Sequence, residues 1–267
     1  MEIIGYLASV LIGISLGLVG SGGSILTVPV LVYLMSVNPM VATASSLFIV
    51  GLTSLVGGLR AYSRNLIDFR AITEFGLPSI FSIFIARHYI LPALPDTVFY
   101  IGSKPVSKEI LLMVVFAALM VAASLTMIRS RNDSQEQVKE EIDRRHKVFP
   151  LVLLGLCIGT VTGLLGAGGG FLIIPALVVF LGLPMKKAVG TSLLIIAINS
   201  LFGFLFSLKQ FTYNWTLLLI FTSLAIAGIF IGSRLSEKIP GKSLKRGFGW
   251  FILVMGIYII TKELFLR

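Results

Sequence analysis

Seven residues with four glycines, Gly17-Leu18-Val19-Gly20-Ser21-Gly22-Gly23, interrupt an apolar run and are followed by Pro29. The pattern returns 146 positions later as Gly163-Leu164-Leu165-Gly166-Ala167-Gly168-Gly169, followed by Pro175. Gly is about 1 kcal/mol worse than Ala inside a helix, so each cluster reads as a helix break. Two breaks in register imply duplication. Aligning 13–69 on 159–215 at this constant offset needs no gap and gives about 18 identical pairs. Leu pairs match by chance in apolar sequence. The pairs Gly13/Gly159, Pro29/Pro175, Ser46/Ser192, Ser54/Ser200 and Gly57/Gly203 carry the argument.

The surroundings of the breaks set the class. With 56% hydrophobic and 13% charged residues and a mean hydropathy of +0.98, the chain is too apolar for a soluble fold of this length and reads as a multi-span protein of the lipid bilayer. The first 25 residues lack a positive leader and an Ala-x-Ala-like cleavage site, so they read as structure. One cysteine, Cys157, allows no internal disulfide or thiolate metal site, and it reads as packed within an apolar arm. Two distant histidines, His88 and His146, argue against a histidine-based metal site, and no cofactor is expected. The net charge of +10 sits mostly in short segments between apolar runs. That placement serves membrane topology and not nucleic-acid binding.

Ile3 to Ser36 as one straight helix would measure about 51 Å against a hydrocarbon core of roughly 30 Å, so it must fold back at the glycines. Spans are expected near 42–60, 71–91 and 109–128, with a Pro-rich link at 92–108 between the last two. After a charged linker the pattern restarts as a broken run at 149–182 and spans near 188–207, 214–233 and 247–265. The reading is an all-α polytopic membrane protein with two inverted repeats, each a Gly-broken hairpin plus three spans. Its parts are a first repeat at 1–128, a charged cytoplasmic linker at 129–148 and a second repeat at 149–267. Placing the basic linker in the cytoplasm also puts Arg60, Arg64, Arg70, Lys186, Lys187 and the basic loop 234–246 there. If the broken runs crossed the membrane fully, parity would make the repeats parallel.

Interrupted helices at matching positions of inverted repeats point to a secondary transporter's substrate site. Irregular backbone at membrane depth is tolerated only where protein or a water-filled cavity covers it. A helix restarting after a glycine loop presents unpaired N–H groups and a positive dipole end, which favour an anion. The candidate substrate-binding residues are Gly20, Ser21, Gly22, Gly23 and Ser24 in the first break, with Gly166, Gly168, Gly169 and Gly170 in the second. Ser46 and Thr53, like Ser192 and Asn199, share one helix face seven positions apart, and Thr191 adjoins them. Close helix packing is the simpler explanation for small residues, Ser54 and Ser200 among them. No metal or catalytic residue is expected: Ser21 and Ser24 lack a base to activate them, which argues against an intramembrane hydrolase.

The two Gly-rich segments with their prolines, followed by Ala188-Val189-Gly190-Thr191-Ser192, resemble the sulfite exporter TauE/SafE family of membrane permeases over essentially the whole chain. The first copy departs from the pattern at Ala44-Ser45-Ser46. The resemblance implies a carrier of sulfite, sulfonates or related organosulfur anions in a bacterial or archaeal cytoplasmic membrane. Alternatives are an anion channel or a carrier of another small anion. Coupling to protons or to the membrane potential, the direction of transport and the oligomeric state stay open. Glu74 is the deepest carboxylate, expected beside Arg70 at a membrane edge, while Arg60, Arg87 and His88 at span ends read as snorkelling groups or an anion funnel.

Overall fold

A computed structural model describes residues 2–20, 23–95, 97–101, 104–129, 148–166, 168–235, 249–250 and 253–262. The first helix, α1 (Glu2–Val19), stops at the first glycine break, and α2 (Ser24–Tyr33) folds back along it, bringing Met35 against Gly5. Three helices follow: α3 (Pro39–Ser63), α4 (Phe69–Ala93) and α5 (Lys108–Arg129). The order then repeats with α6 (Val148–Leu165), α7 (Gly170–Leu181), α8 (Met185–Ser207), α9 (Trp215–Leu235) and α10 (Leu253–Lys262). Both breaks therefore fall at the expected glycines. Four of the described helices, α3, α4, α8 and α9, are long and apolar enough to cross a membrane.

One expectation changes. The link at 92–108 is not purely irregular: β1 (Thr97–Ile101) and β2 (Lys104–Ser107) pair antiparallel as a hairpin. Thr97, Val98, Phe99, Tyr100 and Ile101 are β-branched or aromatic residues, which favour extended backbone once Pro92 and Pro95 have ended the helix. The chain is thus helical with one short hairpin, not strictly all-α. Most of the expected linker, 130–147, lies outside the described residues.

Helix ends are set by local chemistry that also recurs at the offset. Asp68 accepts the Ala71 N–H at 3.0 Å at the start of α4. Asn214, its counterpart 146 residues on, accepts the Leu217 N–H at 3.1 Å at the start of α9. Replacing an N-cap of this kind costs about 1 kcal/mol. Asp68→Ala should therefore lower the melting temperature of the detergent-solubilised protein, and Asp68→Asn should largely restore it. Within α4, two π-helical turns, Ile72–Gly76 and Ala86–Ile90, each end two residues before a proline, Pro78 and Pro92. Proline cannot donate to the ladder and its ring crowds the carbonyl four residues back, and a wider turn relieves that crowding.

The helices pair across the halves through their small residues. Gly13 and Gly17 of α1 abut the backbone of Ala225 and Ile229 in α9, while Gly159 and Gly163 of α6 abut Ser79 and Ile83 in α4. Adding 146 converts Gly13, Gly17, Ser79 and Ile83 of these pairs into Gly159, Gly163, Ala225 and Ile229. Numbers rise together in both interfaces, so each pair of helices runs parallel. Between α3 and α8 they oppose: Leu47 lies beside Gly203, Gly51 beside Leu201 and Gly58 beside Leu194. These counterpart helices are antiparallel. Their contacts share a midpoint at positions 52–53 of α3 and 198–199 of α8, which are mates at the same offset. Large apolar side chains such as Leu7 and Leu11 of α1 and Phe230 and Ile231 of α9 stay exposed, as lipid-facing surfaces require.

Candidate functional site

The second glycine break reaches the α3/α8 midpoint, and the first meets the start of α8. Gly20 (φ +78°) packs against Val189 of α8, and its mate Gly166 (φ +69°) against Thr43 of α3. Positive φ and backbone this close both require glycine. Gly168 (φ +67°) lies against Val50 of α3 and against Ile196 and Ser200 of α8. Gly23 packs on Ile12 and Leu16 of α1, and Gly169 on Ile158 and Thr162 of α6. Leu172 and Ile173 both donate to the Gly169 carbonyl, at 3.0 and 3.2 Å. The N–H groups just before them therefore open the α7 ladder without intrahelical partners. Ser24 and Gly170, the restart positions, are buried. Ser21 and Gly22 lie outside the described residues.

An anion needs donors, and the polar residues divide by whether their proton is already engaged. Ser46 donates to the Gly166 carbonyl at 2.8 Å, which ties α3 to the second break. Thr53 donates to Ile49 O at 2.7 Å and Ser192 to Val189 O at 2.8 Å, both within their own helices. The Thr191 hydroxyl accepts the Asp68 N–H at 2.9 Å. Asn199 is different. Its Oδ1 accepts the single Ser79 proton at 2.9 Å, with Gly76 O as the competing acceptor at 2.8 Å. The Asn199 NH₂ has no acceptor among the described residues.

The Ser54, Ser200 and Thr162 hydroxyls are likewise buried without partners there. An unsatisfied buried polar atom costs about 1–3 kcal/mol. Asn199, Ser54 and Ser200 gather that cost at the α3/α8 midpoint, with Gly168 against Ser200. Sequence reasoning placed the matched Ser54/Ser200 pair with packing, and it missed Thr162. Small residues on a membrane helix look alike whether they pack or bind, and only the engaged protons separate Ser54 from Ser46.

The charged candidates also separate. Arg70 and Glu74 form an i,i+4 pair, Nε to Oε1, at 2.5 Å, as expected for a membrane edge. The exposed His88 ring stacks on Phe84 with centroids 5.3 Å apart. Arg60 donates through a terminal nitrogen to Ser233 Oγ of α9. Together with Gly17, Gly57, Leu193 and Ile229 they line a cavity of about 30 Å³. Arg87 does not snorkel: it is fully buried, because it continues the inward face of Ser79, Ser82, Ile83 and Ala86. Cys157, expected to pack, is exposed on α6.

The chain is similar to known proteins over nearly its whole length. Residues 5–259 match the sulfite exporter TauE/SafE family. A probable membrane transporter protein of Xylella fastidiosa is 28% identical over 95% of this chain and 92% of its own length. Probable membrane transporter proteins MJ0441 of Methanocaldococcus jannaschii and YunE of Bacillus subtilis are each 25% identical, over 94% and 97% of this chain and 94% and 99% of their own. No solved structure matches. The family match spans both glycine breaks and every helix that packs on them, so the chain belongs to the sulfite exporter TauE/SafE family, as a multi-pass membrane protein of the transporter class.

Proposed function

We infer that this protein is a secondary carrier for a small sulfur-containing anion, sulfite or a sulfonate, in a bacterial or archaeal cytoplasmic membrane. It works by alternating access between two inverted repeats. The observation that carries the reading is the set of buried, unpartnered donors at the α3/α8 midpoint: Asn199 Nδ2 and the Ser54 and Ser200 hydroxyls. These are neutral N–H and O–H groups in a low-dielectric setting, and a desolvated oxyanion satisfies them without leaving a buried charge when it departs. The restart of α7 beside them adds a positive dipole end. Antiparallel packing of α3 on α8 and the fold-back of α2 on α1 support inverted repeats with re-entrant hairpins. The description of the matched family supports a sulfur anion.

In this topology the linker, Arg60 and Arg64 are cytoplasmic, and the β1–β2 hairpin is outside. Export of an anion then runs with the membrane potential, which contributes about 2.3 kcal/mol per charge per 100 mV. The test is a thermal-shift panel on purified protein with sulfite, thiosulfate, sulfate, taurine and sulfoacetate, with chloride as control. A sulfur anion should raise the melting temperature of the wild type by mass action. The double variant Asn199→Ala/Ser200→Ala should fold and lose that shift. A stabilising cation or neutral solute, with no effect of any sulfur anion, would sink the reading.

A further inference from the structure

The 146-residue offset relates more than the two breaks. Arg60 of α3 and Ser233 of α9 meet beside the small cavity at one end of the α3/α8 pair. Their mates are Phe206 of α8 and Arg87 of α4, at the opposite end, because α3 and α8 are antiparallel. A third residue bridges the mates: the Gln210 amide donates to the carbonyls of both Arg87, at 3.1 Å, and Phe206, at 3.4 Å. Gly203 packs on Leu47 and Ile83, just as its mate Gly57 packs on Leu193 and Ile229. One guanidinium therefore stands at each end. The two come from opposite members of the pair, so inheritance of a single position does not explain their balance.

The two ends differ in access. Arg60 is half-buried beside its cavity. Arg87 is fully buried, and among the described residues no acceptor reaches any of its three guanidinium nitrogens. The described carboxylates are engaged elsewhere, Asp68 at its cap, Glu74 with Arg70 and Glu109 with the Asn38 amide at 2.8 Å. Tyr213, close enough to feel the Arg87 charge, donates to Ser207 O at 2.9 Å. Burial pushes its phenol up to about 12, with the Arg87 charge opposing, so it stays neutral and offers no counter-charge. One turn before Arg87 on α4, the Phe84 ring packs edge to face on Phe206, centroids 5.1 Å apart. Arg87 itself lies in the π turn Ala86–Ile90, a geometry frequent at functional sites.

We propose that Arg87 is an oxyanion-binding station at the outer end of the transport path, the counterpart of Arg60 at the inner end, occluded in this conformation by the Phe84–Phe206 pair. Among the described residues no counter-charge reaches Arg87, and the substrate supplies it: a sulfur oxyanion enters when the ring pair parts and is held by the guanidinium before it reaches the midpoint donors. This rests on the carrier reading above.

The test uses the full chain in right-side-out and inside-out membrane vesicles with sulfite as probe. Arg87→Gln should raise half-saturating sulfite at least tenfold for entry from the outer face and less than threefold from the inner face. Arg87→Lys should stay within threefold of wild type on both, and Arg60→Gln should show the reverse sidedness. Phe206→Ala should make Arg87 reactive to phenylglyoxal added outside, read by mass spectrometry, and sulfite should protect it. Absence of sulfite flux in the wild type would overturn the carrier reading for sulfite, and this inference with it. Normal wild-type flux with equal loss on both faces in Arg87→Gln, or an unreactive or unprotected Arg87 in Phe206→Ala, would overturn the Arg87 station alone.

Discussion

For a sulfite carrier of the kind proposed, replacing Gly168 by leucine should abolish flux while the protein still accumulates in the membrane. Gly168 has φ +67°, a conformation that costs a residue with a Cβ roughly 1–2 kcal/mol. A Cβ there would also stand 2.8 Å from Val50 Cγ1 and 3.1 Å from Ser200 Oγ. Those neighbours belong to the two helices whose midpoint holds the free donors, so the leucine side chain has only the site to occupy. The strain falls on a break between two helices and not on a helix–helix interface. The long helices should therefore insert as before. Membrane abundance and gel-filtration behaviour report the fold, and vesicle flux reports the site. Alanine at the same position adds the φ penalty with little bulk and should slow transport less. Wild-type flux in Gly168→Leu would remove the second break from the site.

The reason this is foreseeable from sequence is physical. Glycines at 20–23 and 166–169 inside apolar runs leave a helix no way to continue, so both breaks and the helices flanking them were legible. The N-cap residues Asp68 and Asn214 were not singled out and emerge only from their hydrogen bonds. The charged and hydroxyl groups were harder. Arg87 precedes His88 and Tyr89 in a region that reads as a span end, and nothing local says that a π turn keeps position 87 on the buried face. The spacing of Ser79, Ile83, Ala86 and Arg87 carries that signal, but only once the inward face of α4 is known. The hydroxyls fail as sequence signals for another reason. Ser46, Ser54, Ser192 and Ser200 are the same residue on facing helices, and their roles part only where a carbonyl such as that of Gly166 is within reach. The hairpin at 97–107 was hidden by its prolines, which read as a link and left the β-branched and aromatic run between them unweighed.

One added methyl group should have opposite effects at two glycines of this chain. At Gly17 a Cβ would stand 2.6 Å from the Ile229 carbonyl oxygen and 2.7 Å from the Ser233 nitrogen. Both are backbone atoms of α9 and cannot rotate away. Gly17→Ala must push α1 off α9, and overpacking of this kind costs about 1–3 kcal/mol. At Gly76 the nearest atom is a methyl of Ile72, at 3.8 Å, which is ordinary contact. Gly76→Ala should gain up to about 1 kcal/mol from the helical preference of alanine. Thermal unfolding of the purified protein should show Gly17→Ala melting below wild type and Gly76→Ala at or above it. Gly163→Ala, which meets the Ala86 Cβ at 2.7 Å and the Ile83 backbone at 3.2 Å, should also melt below wild type, because an alanine Cβ cannot move without its backbone. If Gly17→Ala melts with wild type, α1 and α9 do not meet through their backbones, and the pairing across the halves loses its firmest contact. If the order holds, the glycines of α1 and α6 are there for helix contact.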